Sequence, residues 1–242
     1  MLKYKLDKIL FLDIETVPQT YDYSSLSDAE RELWEVKFQQ TKSRFDDGAT
    51  AEYGYLNSAG IYAEFGKIVC ISVGFLSVRD GKQIFRLKSF CGDDEKKLLD
   101  DFAQLLRRSY SGLENNLCGH NIKEFDAPYI ARRMLINGLP LPEILDVAGE
   151  KPWNVHFLDT LELWRFGDYK NYTSLKLLTH VFGIPTPKDD IDGSQVAGVY
   201  YNEKDVKRIA MYCEKDVLAT ARLFLKMQGL PTIEDDNVEH VK

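Results

Sequence analysis

Three short segments carry the residue types that hold hard divalent cations. Asp13-Ile14-Glu15-Thr16 ends an apolar run, Asn121 through Phe125-Asp126 lies mid-chain, and Tyr212 through Asp216 lies further along. Carboxylates brought together repel one another, and bound cations are the ordinary remedy. Paired divalent cations are in turn an apparatus for cutting phosphodiesters. Residues two apart on a strand share a face, so Asp13 and Glu15 point one way and Ile14 the other. Two such carboxylates can hold one hard cation and share a second. Alone, an Asp-x-Glu triplet reads equally well as two solvated loop acids. Its place at the end of an apolar strand is what favours chemistry.

The second segment sits between a short strand and a helix with Pro128 in its first turn. A purely structural reading makes Asp126 a helix N-cap and Asn121 a turn residue. A cap carboxylate can still face a metal. In the third segment Tyr212 and Asp216 are four apart, hence one turn apart on one helix face. They border the apolar stripe Val206, Ile209, Cys213, Val217 and Thr220. Tyr201 and Asp205 repeat the spacing. The later pair is preferred, because Asp205 falls in a first turn that welcomes an acid. Asp216 is mid-helix, where Asp is a poor helix former and needs a reason.

The elements that must position these residues follow from periodicity and punctuation. Ile9–Leu12 is a continuous apolar run and reads as a buried strand. Ser27-Asp28-Ala29-Glu30 has the form of a capping box, which predicts a helix over 28–41 inside a polar excursion spanning 20–66. Lys67–Val78 and Gln83–Phe90 read as two strands of a hairpin turning at Asp80-Gly81. A helix over 94–108 and a strand at Leu117–Gly119 come next. A helix then runs from Ala127 to a stop at Asn137-Gly138. Val155–Leu158 reads as a strand and Ser174–Phe182 as a helix ending at Gly183. The last helix is expected from Asn202 to Gln228. The acidic tail, 231–242, is expected without order. The hairpin makes two neighbouring strands antiparallel, so the fold class is α/β with a mixed sheet, in a single domain over 1–230.

Bulk properties narrow the partners. The 242 residues suit one well-buried domain, with 44% hydrophobic and 29% charged residues. A net charge of −7 gives no general basic footprint, so contact with nucleic acid has to be local. Four scattered cysteines without a C-x-x-C pair argue against a zinc site of the usual spacing and for a reducing compartment. No leader-like cleavage site follows the N-terminal run, and no stretch is long enough to span a bilayer. The expectation is a cytoplasmic protein without membrane contact.

In this order the three segments resemble the DEDD superfamily of 3′–5′ exonucleases, in its tyrosine-containing (DEDDy) branch. The match runs through Asp13 and Glu15, then Asn121, Phe125 and Asp126, then Tyr212 and Asp216. The place that would hold the histidine of the other branch is Met211. The wording is most like the proofreading exonuclease domain of family B DNA polymerases and a group of stand-alone relatives. The resemblance implies a ribonuclease H-like fold and a catalytic set of Asp13, Glu15, Asp126, Tyr212 and Asp216. It implies two divalent cations, Mg²⁺ or Mn²⁺, held by Asp13, Glu15, Asp126 and Asp216, with Asp13 bridging. Tyr212, whose ordinary pKa is near 10, would orient the attacking water and not act as base. The implied substrate is the 3′ end of a single-stranded nucleic acid, DNA ahead of RNA. The implied product is a nucleoside 5′-monophosphate.

Thr16, Asn121 and Phe125 are candidates to contact the terminal nucleotide, with a plain core role equally open for Phe125. Lys170 and Lys176 lie near Tyr172 and could meet phosphates, although a solvated helix face is the simpler account. His120 and His180 carry no ligand spacing and read as structural. Proofreading, repair or turnover, and a polymerase or repair partner, are left open. The segment 20–66 departs from compact bacterial proofreading subunits. Two rivals stand beside this reading. An apolar strand followed by Asp13-x-Glu15 also resembles haloacid-dehalogenase-like phosphatases, with Asp13 as nucleophile and Asp93-Asp94 mimicking their late acidic motif. The other rival is a catalytically silent nucleic-acid-binding module on the same fold.

Overall fold

The apolar run at Ile9 extends further than its hydrophobic residues: β1 spans Ile9–Pro18 and carries Asp13 and Glu15 within it. Its neighbours on either side are β2 (Gly66–Arg79), antiparallel, and β4 (Asn116–Gly119), parallel. β2 pairs antiparallel with β3 (Lys82–Cys91), and β4 pairs parallel with β5 (Leu158–Asp159). β6 (Val238–His240) closes the far edge on β3, giving the order β5-β4-β1-β2-β3-β6. This is the mixed α/β sheet flanked by helices expected of a ribonuclease H-like domain. The computed structural model describes residues 4–79, 81–168, 172–185 and 191–241. Asp80 of the expected turn and Lys170 lie outside them.

β1 is covered on both faces, and the period of two sorts its residues between two cores. Leu10, Leu12 and Ile14 enter one core with Leu99 and Phe102 of α3 (Glu95–Ser109) and Ile130 of α4 (Asp126–Ile136). Ile9 and Phe11 enter the other with Val217, Ala221 and Phe224 of α8 (Val206–Met227). Asp13 and Glu15 continue that second set, so the alternation alone turns both acids toward α8. Gly74 on β2 lets the helix come close. A Cβ there would lie 2.3 Å from Phe85 and 3.0 Å from Val217, the residue after Asp216.

Helix boundaries follow their caps. Ser27 and Glu30 form the complete capping box of α1 (Asp28–Thr41), as expected. Asp94 accepts from Lys97 N–H at the start of α3. Ser174 caps α6 (Leu175–Val181), which stops at Gly183 with φ 60°. The excursion folds on itself: Trp34 and Phe38 of α1 pack with Tyr55 of α2 (Ala51–Ser58), and Trp34 Nε1 donates to Ala51 O at 2.7 Å. It is pinned to the body by Tyr129 OH donating to Gly60 O and Arg133 Nη1 to Ala63 O, both at 2.8 Å.

Four expectations need correction. The strand expected at 155–158 is β5, Leu158–Asp159, because the preceding residues turn at Pro152–Asn154. α5 (Thr160–Arg165) follows it directly. The last helix begins at Val206, not Asn202. A short turn, α7 (Val196–Gly198), runs into a π-helical turn over Val199–Glu203, and Lys204 at φ 55° breaks it before Asp205 caps α8. Asp126 is the first residue of α4, not its N-cap; Phe125 holds that place without a side-chain bond. The tail is structured as far as β6. Buried Arg222 donates to Ile233 O at 2.9 Å and pairs with Asp235 at 2.6 Å, which leads the chain into β6.

Glu95 and Arg133 form a buried ion pair, 2.6 and 2.8 Å at its two contacts, and Glu95 also accepts from Ile68 N–H at 2.7 Å. Removing one partner leaves the other charge buried alone. Arg133→Ala is therefore expected to lower stability by about 3–5 kcal/mol in urea unfolding. A loss under about 1 kcal/mol, the range of exposed ion pairs, would contradict this account.

Candidate active site

The site assembles where β1, α4 and α8 converge. β4 pairs with β1 only through Ile9–Phe11. Beyond that point the same side of β1 is open, and the Asp126 carboxyl takes a hydrogen bond from the backbone of Ile14. On the α8 side Cys213 lies 3.4 Å from both the Asp13 backbone oxygen and Asp13 Oδ2. Asp13, Glu15 and Cys213 each bring a donor atom within 4.8 Å of the others. Asp216 is three residues on from Cys213, on the same side of the helix.

Electrostatics locate the remaining carboxylates. Burial raises the Asp13 carboxyl well above the ordinary range, and Asp126, Glu15 and Asp216 raise it further in that order. Glu15 is raised by burial, then by Asp216 and Asp126. Asp126 is raised to about 7, chiefly by burial, against backbone hydrogen bonds at Asp126 and Ile14 that hold it down. Glu15 and Asp126 are 8% and 3% exposed, so solvent screens these charges little. The structure thus gathers Asp13, Glu15, Asp126 and Asp216 from three distant segments. A donor set of carboxylates with one thiol fits a divalent cation.

Tyr212 is half-buried and packs on the apolar cluster that includes Val17, Val69, Cys70 and Cys213. The competing pair is used elsewhere. Tyr201 OH donates to Pro18 O at 2.6 Å, and Asp205 caps α8. The acids of the phosphatase-like signature are likewise engaged, Asp94 as the α3 cap and Asp93 accepting from Tyr200 OH at 2.8 Å.

Thr16 and Phe125 line a cleft of about 290 Å³ with Glu15, and Leu56, Asn57 and Ile61 of the excursion form its other wall. Phe125 also packs on Tyr129 at 5.5 Å, so it serves core and cleft together. Asn121 does not line this cleft. It sits at φ 66°, its N–H donates to Asp159 Oδ1 at 2.9 Å, and its own Oδ1 is buried without a partner among the described residues.

Two neighbours of the site escaped the sequence reading. Asp159, 4% exposed, accepts from the backbone N–H groups of Asn121, Lys123 and Leu161 and so fixes the turn leading to Asp126. Its signal is an Asp before a helical stretch, a cap signature at the end of a strand. Cys213 was visible only as one apolar member of a helix stripe. His120 is structural, as expected. Nε2 donates to Thr173 O at 2.9 Å, which requires Nδ1 to accept from Thr160 Oγ1 at 2.9 Å. Burial lowers its pKa and keeps it neutral. Tyr172, packed edge-on to His120 at 6.2 Å, has its hydroxyl pKa raised by burial and then by Asp126, Asp159 and Asp13. It therefore stands near the acids. Among the described residues no helix is long and apolar enough to cross a membrane.

A family model described as a predicted 3′–5′ exonuclease related to the exonuclease domain of PolB matches residues 61–239. The span includes Asn121, Phe125, Asp126, Tyr212 and Asp216 and starts after Asp13, Glu15 and most of the excursion. No curated protein matches the chain. Among solved structures, the family B DNA polymerase from the hyperthermophilic archaeon Pyrobaculum calidifontis is similar at 16% identity and a TM-score of 0.48. The alignment covers 90% of this chain and 24% of that one, so the chain spans about a quarter of the polymerase's length.

Carboxyls with raised native pKa values keep protons that the unfolded chain has already lost, so stability falls as pH rises. The window runs from ordinary carboxylate values near 4 up to about 7 for Asp126. In metal-free buffer the melting temperature should decline across it, and Asp126→Asn should flatten the decline. Saturating Mn²⁺ should offset it, because a bound cation favours the ionised form. A wild-type profile indistinguishable from that of Asp126→Asn would contradict the buried repulsion.

Proposed function

Because the chain belongs to the family of predicted 3′–5′ exonucleases related to the exonuclease domain of PolB, we propose that it is a metal-dependent enzyme. It removes nucleoside 5′-monophosphates from the 3′ end of single-stranded DNA. The observation that carries this reading is the convergence on Asp13 of carboxylates from three segments, with Asp126, Glu15 and Asp216 all raising its proton affinity. Such a cluster is costly to bury in its ionised form unless a bound cation offsets the charge.

The roles follow from position. Asp13, between Glu15 on its own strand and Asp126 across the open side of β1, would hold the divalent cations together with Glu15, Asp126 and Asp216. Glu15 and Asp216 complete one side of the set and Asp126 the other. What two divalent cations supply when bound is activation of a water and neutralisation of charge on the phosphate and the departing 3′-oxygen. Tyr212, one helical turn from Asp216, would orient a water by its hydroxyl. Thr16 and Phe125 bound the cleft beside Glu15, which suits them to the sugar and base of the terminal nucleotide. Asn121 acts through the turn that presents Asp126, and its left-handed backbone is held by Asp159.

With Mg²⁺ or Mn²⁺, wild-type protein should release mononucleotides from a 3′-labelled DNA strand and do so faster than from the matched RNA. Asp13→Ala should abolish release. Tyr212→Phe should lower kcat about 10²-fold or more with little change in strand affinity. Release by Asp13→Ala at the wild-type rate would end this assignment.

A further inference from the structure

The mechanism above uses the carboxylates and leaves one donor of the same set unassigned. Cys213 is fully buried, in the middle of α8, between Tyr212 and Asp216. Its sulfur is 3.4 Å from Asp13 Oδ2, and it shares with Asp13 and Glu15 a volume in which all three donor atoms lie within 4.8 Å. Donors about 2.1 Å (oxygen) and 2.3 Å (sulfur) from one ion, about 90–109° apart, lie about 3.1–3.6 Å from each other. The 3.4 Å between Cys213 and Asp13 falls inside that interval, and Glu15 brings an oxygen within 4.8 Å of both.

The donor types set the preference. Carboxylate oxygens suit Mg²⁺ and Mn²⁺, whereas a thiolate selects softer ions such as Zn²⁺ and Co²⁺. Mg²⁺ gains little from sulfur, so the thiol discriminates among cations. We infer that Cys213 makes this carboxylate site a high-affinity position for a thiophilic divalent cation. Zn²⁺ or Co²⁺ is bound by Asp13, Glu15 and Cys213 in competition with the Mg²⁺ or Mn²⁺ that serves catalysis. The inference rests on the proposed use of Asp13 and Glu15 as metal ligands. Binding forms one metal–sulfur bond and breaks the S–H bond, and the proton passes to solvent; nothing is oxidised or reduced. The acids around the thiol furnish the negative field a dication needs.

The other cysteines do not offer the same arrangement. Cys70 lies opposite Glu15 across β1 and β2, and its thiol meets Cys213 and, at 3.5 Å, Ser72 Oγ, but it does not join the Asp13–Glu15 group. Cys91 is exposed on the far side of Cys70, and Cys118 is buried on β4.

Co²⁺ is the direct probe, since a cobalt–thiolate bond absorbs in the near ultraviolet and a cobalt–carboxylate bond does not. Titrating metal-free full-length protein with Co²⁺ should raise that band to one equivalent per chain. Cys213→Ser should lose it, and Cys91→Ser and Cys118→Ser should keep it. In melting experiments Cys213→Ser should respond to Mg²⁺ as the wild type does, while its affinity for Zn²⁺ drops by about tenfold or more. Asp13→Asn, which keeps the thiol, should weaken the band and serves if Cys213→Ser does not fold. No band in the wild type, or a band that persists in Cys213→Ser, would overturn the inference. Neither readout involves strand cleavage, so a failure here is distinct from a failure of the nuclease reading, which Asp13→Ala tests.

Discussion

Mutual repulsion among buried carboxylates is the constraint around which this molecule is organised. Burial raises Asp13, Glu15 and Asp126 alike; Asp126, Glu15 and Asp216 raise Asp13 further, Asp216 and Asp126 raise Glu15, and Asp159 raises Asp126. Nothing in their own chemistry would bring them together. They are held by a scaffold whose apolar cores work on both faces of β1 and by backbone geometry that leaves them no way apart. Leu10, Leu12 and Ile14 anchor the strand to α3 and α4, and Ile9 and Phe11 anchor it to α8. The acids are carried into the gap by the same alternation that buries their neighbours.

Close approach of α8 is the second requirement. Gly74 removes the Cβ that would collide with Phe85 and Val217, so the helix settles one residue beyond Asp216. Ser72 and Ser89, opposite each other two residues from that point, share a 2.8 Å hydrogen bond, and Ser89 donates to Glu214 of α8 at 2.7 Å. The helix is thus tied to the sheet by polar contacts beside the site and by apolar ones below it. The β4 side is arranged differently. β4 is too short to pair with β1 beyond Phe11, and that shortness gives the Asp126 carboxyl access to the backbone at Ile14.

Much of this was legible in the residues. The apolar run before Asp13, the capping box at Ser27, the hairpin around Gly81 and the Gly138 and Gly183 stops are local signals, and each element appears where its signal lies. The preference for Tyr212 and Asp216 over Tyr201 and Asp205 rested on where an acid needs a reason, and Asp205 proves to be a cap. What was missed depends on distant partners. β6 exists because β3 offers an edge and Arg222 captures the chain at Ile233 and Asp235, which no local pattern near Pro231 announces. Asp126 escapes its cap role because the turn from Asn121 closes through Phe125 N–H to Asn121 O at 3.0 Å, held from outside by Asp159. Cys213 looks like one more apolar residue until β1 is placed beside it.

The buried carboxylates also separate by the company they keep. Glu95 is met by the guanidinium of Arg133 and by Ile68 N–H. Asp159 is met by backbone N–H groups of Asn121, Lys123 and Leu161. Both arrangements satisfy a charge with fixed donors, and both serve to hold a loop: Glu95, through Arg133, the end of the excursion at Ala63, and Asp159 the turn into α4. Asp13 and Glu15 are met instead by other acids and a thiol. A structural carboxylate is one whose donors come from the chain. A set whose members face each other is satisfied less by the chain, and here that set lies beside a cleft walled partly by the excursion. Residues 56–61 therefore bear on what reaches the acids, while the distant cap at Ser27 bears only on whether that wall stands.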